Sequence, residues 1–139
     1  MEIQGYNVPD ELYYQEHQFW IRPDGDILLM GMTDFAQQMA GKIVFVQLPE
    51  PGKKLTLGKK FAKIESGKWV GKVFAPVNGE LVASNEALDA NPGLINQDCY
   101  SAGWMYKIKP SDMAEIEKLI RGKEAITAWM LADIEKYKK

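Results

Sequence analysis

Short alternating and continuous apolar runs, broken at close intervals by glycine, proline and asparagine, organise the first two thirds of the chain. Gln18-Phe19-Trp20-Ile21-Arg22 and Ile27-Leu28-Leu29-Met30-Gly31-Met32, separated by Pro23-Asp24-Gly25-Asp26, predict a β-hairpin. Thr33 is placed to cap a short helix over 34–40, which Gly41 ends. Lys42 to Leu48 predicts a strand stopped by Pro49-Glu50-Pro51-Gly52, and further short strands are expected near 54–57, 60–65, 69–74 and 79–84. Many short strands with frequent turns point to a sandwich or small barrel.

The pattern changes in the last third. Asn85 to Asp89 predicts one helical turn, Asn91-Pro92-Gly93 breaks it, and Trp104 to Lys109 predicts a final strand. Ser111 is placed to cap a helix with Met113, Ile116, Leu119 and Ile120 on one face, interrupted at Gly122. Ile126, Trp129, Met130 and Ile134 then recur at helical spacing. The segment 111–137 is therefore expected to be helical and to pack its apolar stripe on the chain's own sheet rather than to serve a partner.

Composition narrows the class. With 46% hydrophobic and 26% charged residues in 139, the chain reads as one globular domain over 1–139 with no disordered tract. A net charge of −2 argues against non-specific nucleic-acid binding, so the lysine clusters at 53–54, 59–63 and 136–139 read as solvated faces. One cysteine, Cys99, allows no internal disulfide, and with a single histidine, His17, it leaves little for a metal site. No apolar stretch reaches membrane-spanning length and the N-terminus lacks a signal pattern, which predicts a soluble cytoplasmic protein with no membrane partner.

The chemistry concentrates at one lysine. Phe61 to Ile64 and Trp69 to Phe74 suit a pleated, half-buried surface, and Glu65-Ser66-Gly67-Lys68 between them predicts a turn that projects Lys68 into solvent. Most of the 15 lysines are ordinary surface. Lys68 differs because a hairpin presents it, and an ε-amine can be acylated into a neutral tether. The chain shows no phosphate-cradling glycine loop and no nucleophile paired with a base, so an independent enzyme is not indicated. His17 is expected to be structural and Cys99 inert, since nothing near it in sequence would lower its pKa.

Six blocks carry a family resemblance: Glu16-His17-Gln18-Phe19-Trp20, 31–37, 41–52, Glu65-Ser66-Gly67-Lys68, 75–80 and 103–108. In order and spacing, over about residues 12–120, the chain resembles the H protein of the glycine cleavage system. The resemblance implies a mainly β barrel-sandwich hybrid of the lipoyl and biotinyl carrier type, with a short edge helix and C-terminal helices. It implies lipoic acid in amide linkage to Lys68, with Glu65, Ser66, Gly67 and Trp69 forming the segment around it. Such a protein is a carrier with a swinging arm, not a catalyst. Its implied partners are a lipoate ligase or lipoyl transferase and the glycine cleavage P, T and L proteins, the last a dihydrolipoamide dehydrogenase. A biotin carrier would share the hairpin but normally sets its lysine between methionines, and an unmodified interaction module is the remaining alternative.

The chain departs from the family pattern around the arm. Gln18 replaces the usual glutamate after the histidine, Lys72 replaces an acidic residue, Trp69-Val70-Gly71 replaces an alanine-rich segment, and Met39 replaces a common histidine. The family folds its arm into a cleft on its own surface, which makes Gln18, Met39 and Lys72 candidates for lining that cleft. An aminomethyl cargo is cationic and favours carboxylates, whereas lysine in their place favours a neutral or anionic load. The leading expectation is therefore a carrier of sulfur intermediates. Glu65 to Gly71 looks like the lipoylation segment of H-protein-like lipoate-binding proteins that act in sulfur oxidation beside a heterodisulfide-reductase-like complex. The alternative is a glycine cleavage H protein carrying the aminomethyl group.

Overall fold

The structure, a computed structural model, describes residues 1–137, so Lys138 and Lys139 of the terminal lysine cluster lie outside the described residues. Two short strands, β1 (Glu2–Ile3) and β2 (Tyr6–Asn7), form a small N-terminal hairpin. The chain continues through β3 (Tyr13–Gln15), β4 (Phe19–Asp24), β5 (Ile27–Met32), helix α1 (Asp34–Ala40) and β6 (Ile43–Val46). It then runs through β7 (Lys54–Leu55), β8 (Lys60–Ser66), β9 (Val70–Phe74), β10 (Gly79–Ser84), α2 (Ala87–Ala90), α3 (Leu94–Gln97) and β11 (Tyr106–Pro110). A 3-10 helix (Met113–Lys118) and helix α4 (Lys123–Lys136) complete it.

Two sheets result. One has the order β3-β4-β5-β11-β10-β7, the other β6-β8-β9, and neighbouring strands run antiparallel throughout. Strand alternation explains the apolar runs read in the sequence. Phe19, Ile21, Leu28 and Met30 face the main core with Ile64, Val73, Leu81 and Ile108, whereas Trp20 and Leu29 face a second core with Tyr14, Phe35, Ile126 and Met130. The β4-β5 hairpin is thus buried on both faces, and full burial of one such aliphatic side chain contributes about 1.5–3 kcal/mol. Gly31 permits this arrangement, because a Cβ there would lie 2.8 Å from the Trp20 indole, whose Nε1 donates to the Cys99 carbonyl at 2.8 Å.

This is the mainly β sandwich expected, with several boundaries corrected. The strand expected over 42–48 is only Ile43–Val46, its pairing with β8 interrupted between Ile43 and Phe45. The last strand begins at Tyr106, not Trp104. Asp112, not Ser111, caps the segment that follows, its carboxylate accepting from Ala114 N at 3.0 Å, and that segment is a 3-10 helix. The one-turn helix falls at Ala87–Ala90, and α3 and β1 to β3 had no counterpart in the sequence reading. Gly122 does separate the two C-terminal helices, at φ +86, and the apolar stripe of α4 does pack on the body through Ile126 and Met130.

Candidate functional site

The β8-β9 hairpin is tighter than the sequence suggested. Glu65 pairs with Val70, and Ser66 N donates to the Trp69 carbonyl at 2.8 Å, so only Gly67 and Lys68 form the tip. Glu65 and Ser66 belong to the strand. Ser66 is buried and its Oγ accepts from Lys68 N at 3.3 Å, which shapes the tip, while Glu65 pairs with Lys63 at 3.2 Å. Lys68 itself is exposed, and its stem lies against the C-terminal end of α1, where Cε comes within 3.2 Å of the position a Cβ on Gly41 would occupy. Gly41, at φ +83, therefore ends the helix and leaves room for the lysine.

Beside this tip opens a cleft of about 220 Å³ between α1, the start of β4 and the hairpin. Phe35, Ala36 and Ala40 line it from α1. The structure brings Gln18, Met39, Trp69 and Lys72 to the same cleft, together with His17 and Tyr137. Trp69 is seated on Gly71: ring atoms lie 2.0 to 2.8 Å from where a Cβ would be, so only glycine provides that floor. Among the described residues, Lys72 is the charged group facing the cleft, and no carboxylate lines it. His17 stacks on Phe74 with ring centroids 4.5 Å apart.

Gln18 is placed at the cleft as expected, but with a further part. It lines the cleft but is only 7% exposed, and its amide is already engaged: Oε1 accepts from Thr33 Oγ1 at 2.6 Å and Nε2 donates to Asp133 Oδ2 at 2.8 Å. Thr33 is the N-cap of α1, its Oγ1 accepting from Ala36 N at 3.1 Å. Gln18 is therefore a buried connector between α1 and α4 rather than a neutral group offered to the arm. Tyr137 at the cleft and Asp133 behind Gln18 were missed in the sequence because their places depend on how α4 docks.

The remaining reactive groups are occupied or buried. Cys99 is buried and desolvation pushes its thiol up to about 12, which leaves it protonated and inert near neutral pH. Among the described residues no group of three or more histidine, cysteine or acidic side chains could hold a metal, and no helix is long and apolar enough to cross a membrane.

A solvent-exposed lysine at the tip of a tight hairpin on a two-sheet sandwich, with an apolar-floored cleft beside it, defines a carrier domain for a covalently attached group. The comparisons with known proteins agree. The sequence model described as Glycine cleavage H-protein matches residues 12–131. The glycine cleavage system H protein of Halothermothrix orenii is 46% identical over 118 residues, covering 85% of this chain and 92% of that one, and that of Anoxybacillus flavithermus is 42% identical at 85% and 93% coverage. The crystal structure of a glycine cleavage system H protein from Mycobacterium marinum superposes with a TM-score of 0.77 at 32% identity, covering 87% of this chain and 98% of that one. The chain belongs to the glycine cleavage H-protein family. Its members carry lipoate covalently on a lysine and are carriers, not catalysts. The residues here fit that group: an accessible amine and an adjoining cleft.

Proposed function

We propose that Lys68 is the lipoylated lysine and that the chain carries an aminomethyl group among the P, T and L proteins of glycine cleavage. The observation that carries this is the placement of Lys68, fixed by a two-residue tip with its stem laid on Gly41 at the mouth of the cleft. When bound, lipoate supplies a dithiolane that opens to thiols and closes again by thiol-disulfide chemistry. The chain's own residues do the rest. Ser66 and Gly67 hold the tip in a form a lipoate ligase or lipoyl transferase can read, and Met39 and Trp69 offer apolar surface to an arm resting in the cleft. A soluble, cytoplasmic setting belongs to this reading.

One observation favours a second cargo. Lys72 faces a cleft that no carboxylate lines among the described residues, an arrangement better suited to a neutral or anionic sulfur-bound group handled by a heterodisulfide-reductase-like complex. Intact mass after expression with a lipoate ligase tests the attachment: a lipoyl increment is expected, and it should vanish in both Lys68→Ala and Lys68→Arg. Glycine decarboxylase P protein then tests the cargo. Aminomethyl transfer at a rate typical of a true H protein supports the first reading, while no transfer, together with uptake of sulfane sulfur, supports the second.

A further inference from the structure

The three-residue loop that joins β3 to β4 ends on Gln18 at φ +72, a left-handed conformation that glycine adopts freely and a side chain does not. The fold keeps a glutamine there, and its amide joins two helices. We propose that α4 is the outer wall of the arm cleft and that Gln18 is the positioning residue that latches it through Asp133. This rests on the reading of Lys68 as the lipoyl-lysine.

The anchoring of α4 is uneven along its length. Ile126 and Met130 sink into the second core near its start and middle. Its last turns are held by the Gln18 to Asp133 bond and by Ile134, half-buried at the edge of that core, while Tyr137, the C-cap beyond them, sets its ring centroid 6.2 Å from that of Phe35 on α1. Tyr137 lines the cleft alongside Met39, Trp69 and Lys72. A neighbouring hollow shares His17, Gln18, Lys72 and Tyr137 with the cleft and adds Asp133 and Lys136, so α4 forms the boundary at that end.

The course of the arm explains why that end matters. The Lys68 stem ends against Gly41, and the seven residues of α1 span about 10 Å. A lipoyl chain of comparable length, if laid along α1, would reach toward the Thr33 end, where Gln18 bonds the cap and Tyr137 lies beside Phe35. Gln18 thereby couples the helix cap beneath the arm to the wall beside its tip.

Two measurements on the full chain test this. Hydrogen exchange of the α4 amides is read on the unmodified protein, and reduction of the dithiolane by a water-soluble phosphine is read on the lipoylated protein. In Gln18→Gly and Gln18→Glu, exchange in the last two turns of α4 and phosphine reduction should each rise about tenfold. Gln18→Glu combined with Asp133→Asn should restore both, because the asparagine amide can donate to the new carboxylate. Tyr137→Ala should leave exchange unchanged and still speed reduction. Unaltered exchange in the Gln18 variants, no recovery in the double variant, or unaltered reduction in Tyr137→Ala overturns the proposal. A chain with no lipoyl increment on Lys68 removes both the reading and the wall, whereas normal loading with unaltered reduction rates removes the wall alone.

Discussion

Glycines at Gly71 and Gly79 occupy crowded positions of opposite kinds. A Cβ on Gly71 meets the far end of the Trp69 indole, which is 39% exposed and free to swing away. A Cβ on Gly79 meets the Lys109 carbonyl oxygen at 2.3 Å and the Pro110 Cα at 2.9 Å, both backbone. Gly71→Ala should therefore change stability by less than about 1 kcal/mol while shifting Trp69 emission to the red, as read by urea unfolding and fluorescence. Gly79→Ala should cost about 1–3 kcal/mol in the same unfolding measurement, because two paired strands must part. The exposed place of Lys68 at a hairpin tip was legible from its turn and strands, whereas its part as an attachment point came only with the family resemblance. The seating of Trp69 was not legible, since sequence shows a tryptophan two residues from a glycine but not that the indole covers that glycine.

At the level of elements, α1 carries most of the consequence. Thr33 Oγ1 both caps it and donates to Gln18, so Thr33→Ala removes the cap, worth about 1 kcal/mol, and leaves a buried acceptor, worth about 1–3 kcal/mol. A loss of roughly 2–4 kcal/mol by urea denaturation is expected. A value below about 0.5 kcal/mol would mean that water replaces the hydroxyl. The cap, the helix and its glycine stop were readable because all three signals are local. The Asp112 cap was misread because Ser111 and Asp112 are adjacent and both able to cap. The bond between Gln18 and Asp133 was invisible, as the partners lie 115 positions apart and meet only once α4 docks.

The whole molecule holds several buried groups that ionise only in alkali. Burial raises the pKa of Tyr14, Tyr100 and Tyr106, and raises Cys99 from 9.0 to about 12. Because the folded values lie above the unfolded ones, the unfolded chain releases protons first as pH rises. The stability the Cys99 thiol contributes should be fully present below about pH 9 and fall between 9 and 12, while that of the tyrosines begins to fall only above 10.0, as followed by circular dichroism across an alkaline titration. The Tyr100 hydroxyl sharpens this, since it accepts from Asp34 N at 3.0 Å and donates to the Asn7 carbonyl at 2.7 Å, tying the N-terminal hairpin to α1. A thiol reagent at neutral pH should accordingly leave Cys99 unmodified until the protein unfolds. The family was recognisable because its motif blocks lie in order along most of the chain, while the charge at the cleft could be judged only after Gln18 proved to be engaged.

The perch of Trp69 on Gly71 also makes the protein its own optical probe. An indole at the rim of the cleft will be shielded from iodide by whatever rests inside, and a dithiolane seated against it will quench its light. Docking and release of an arm on Lys68, as proposed, could then be timed by stopped flow without a label, the signal assigned by comparison with Trp69→Phe because the chain has four tryptophans.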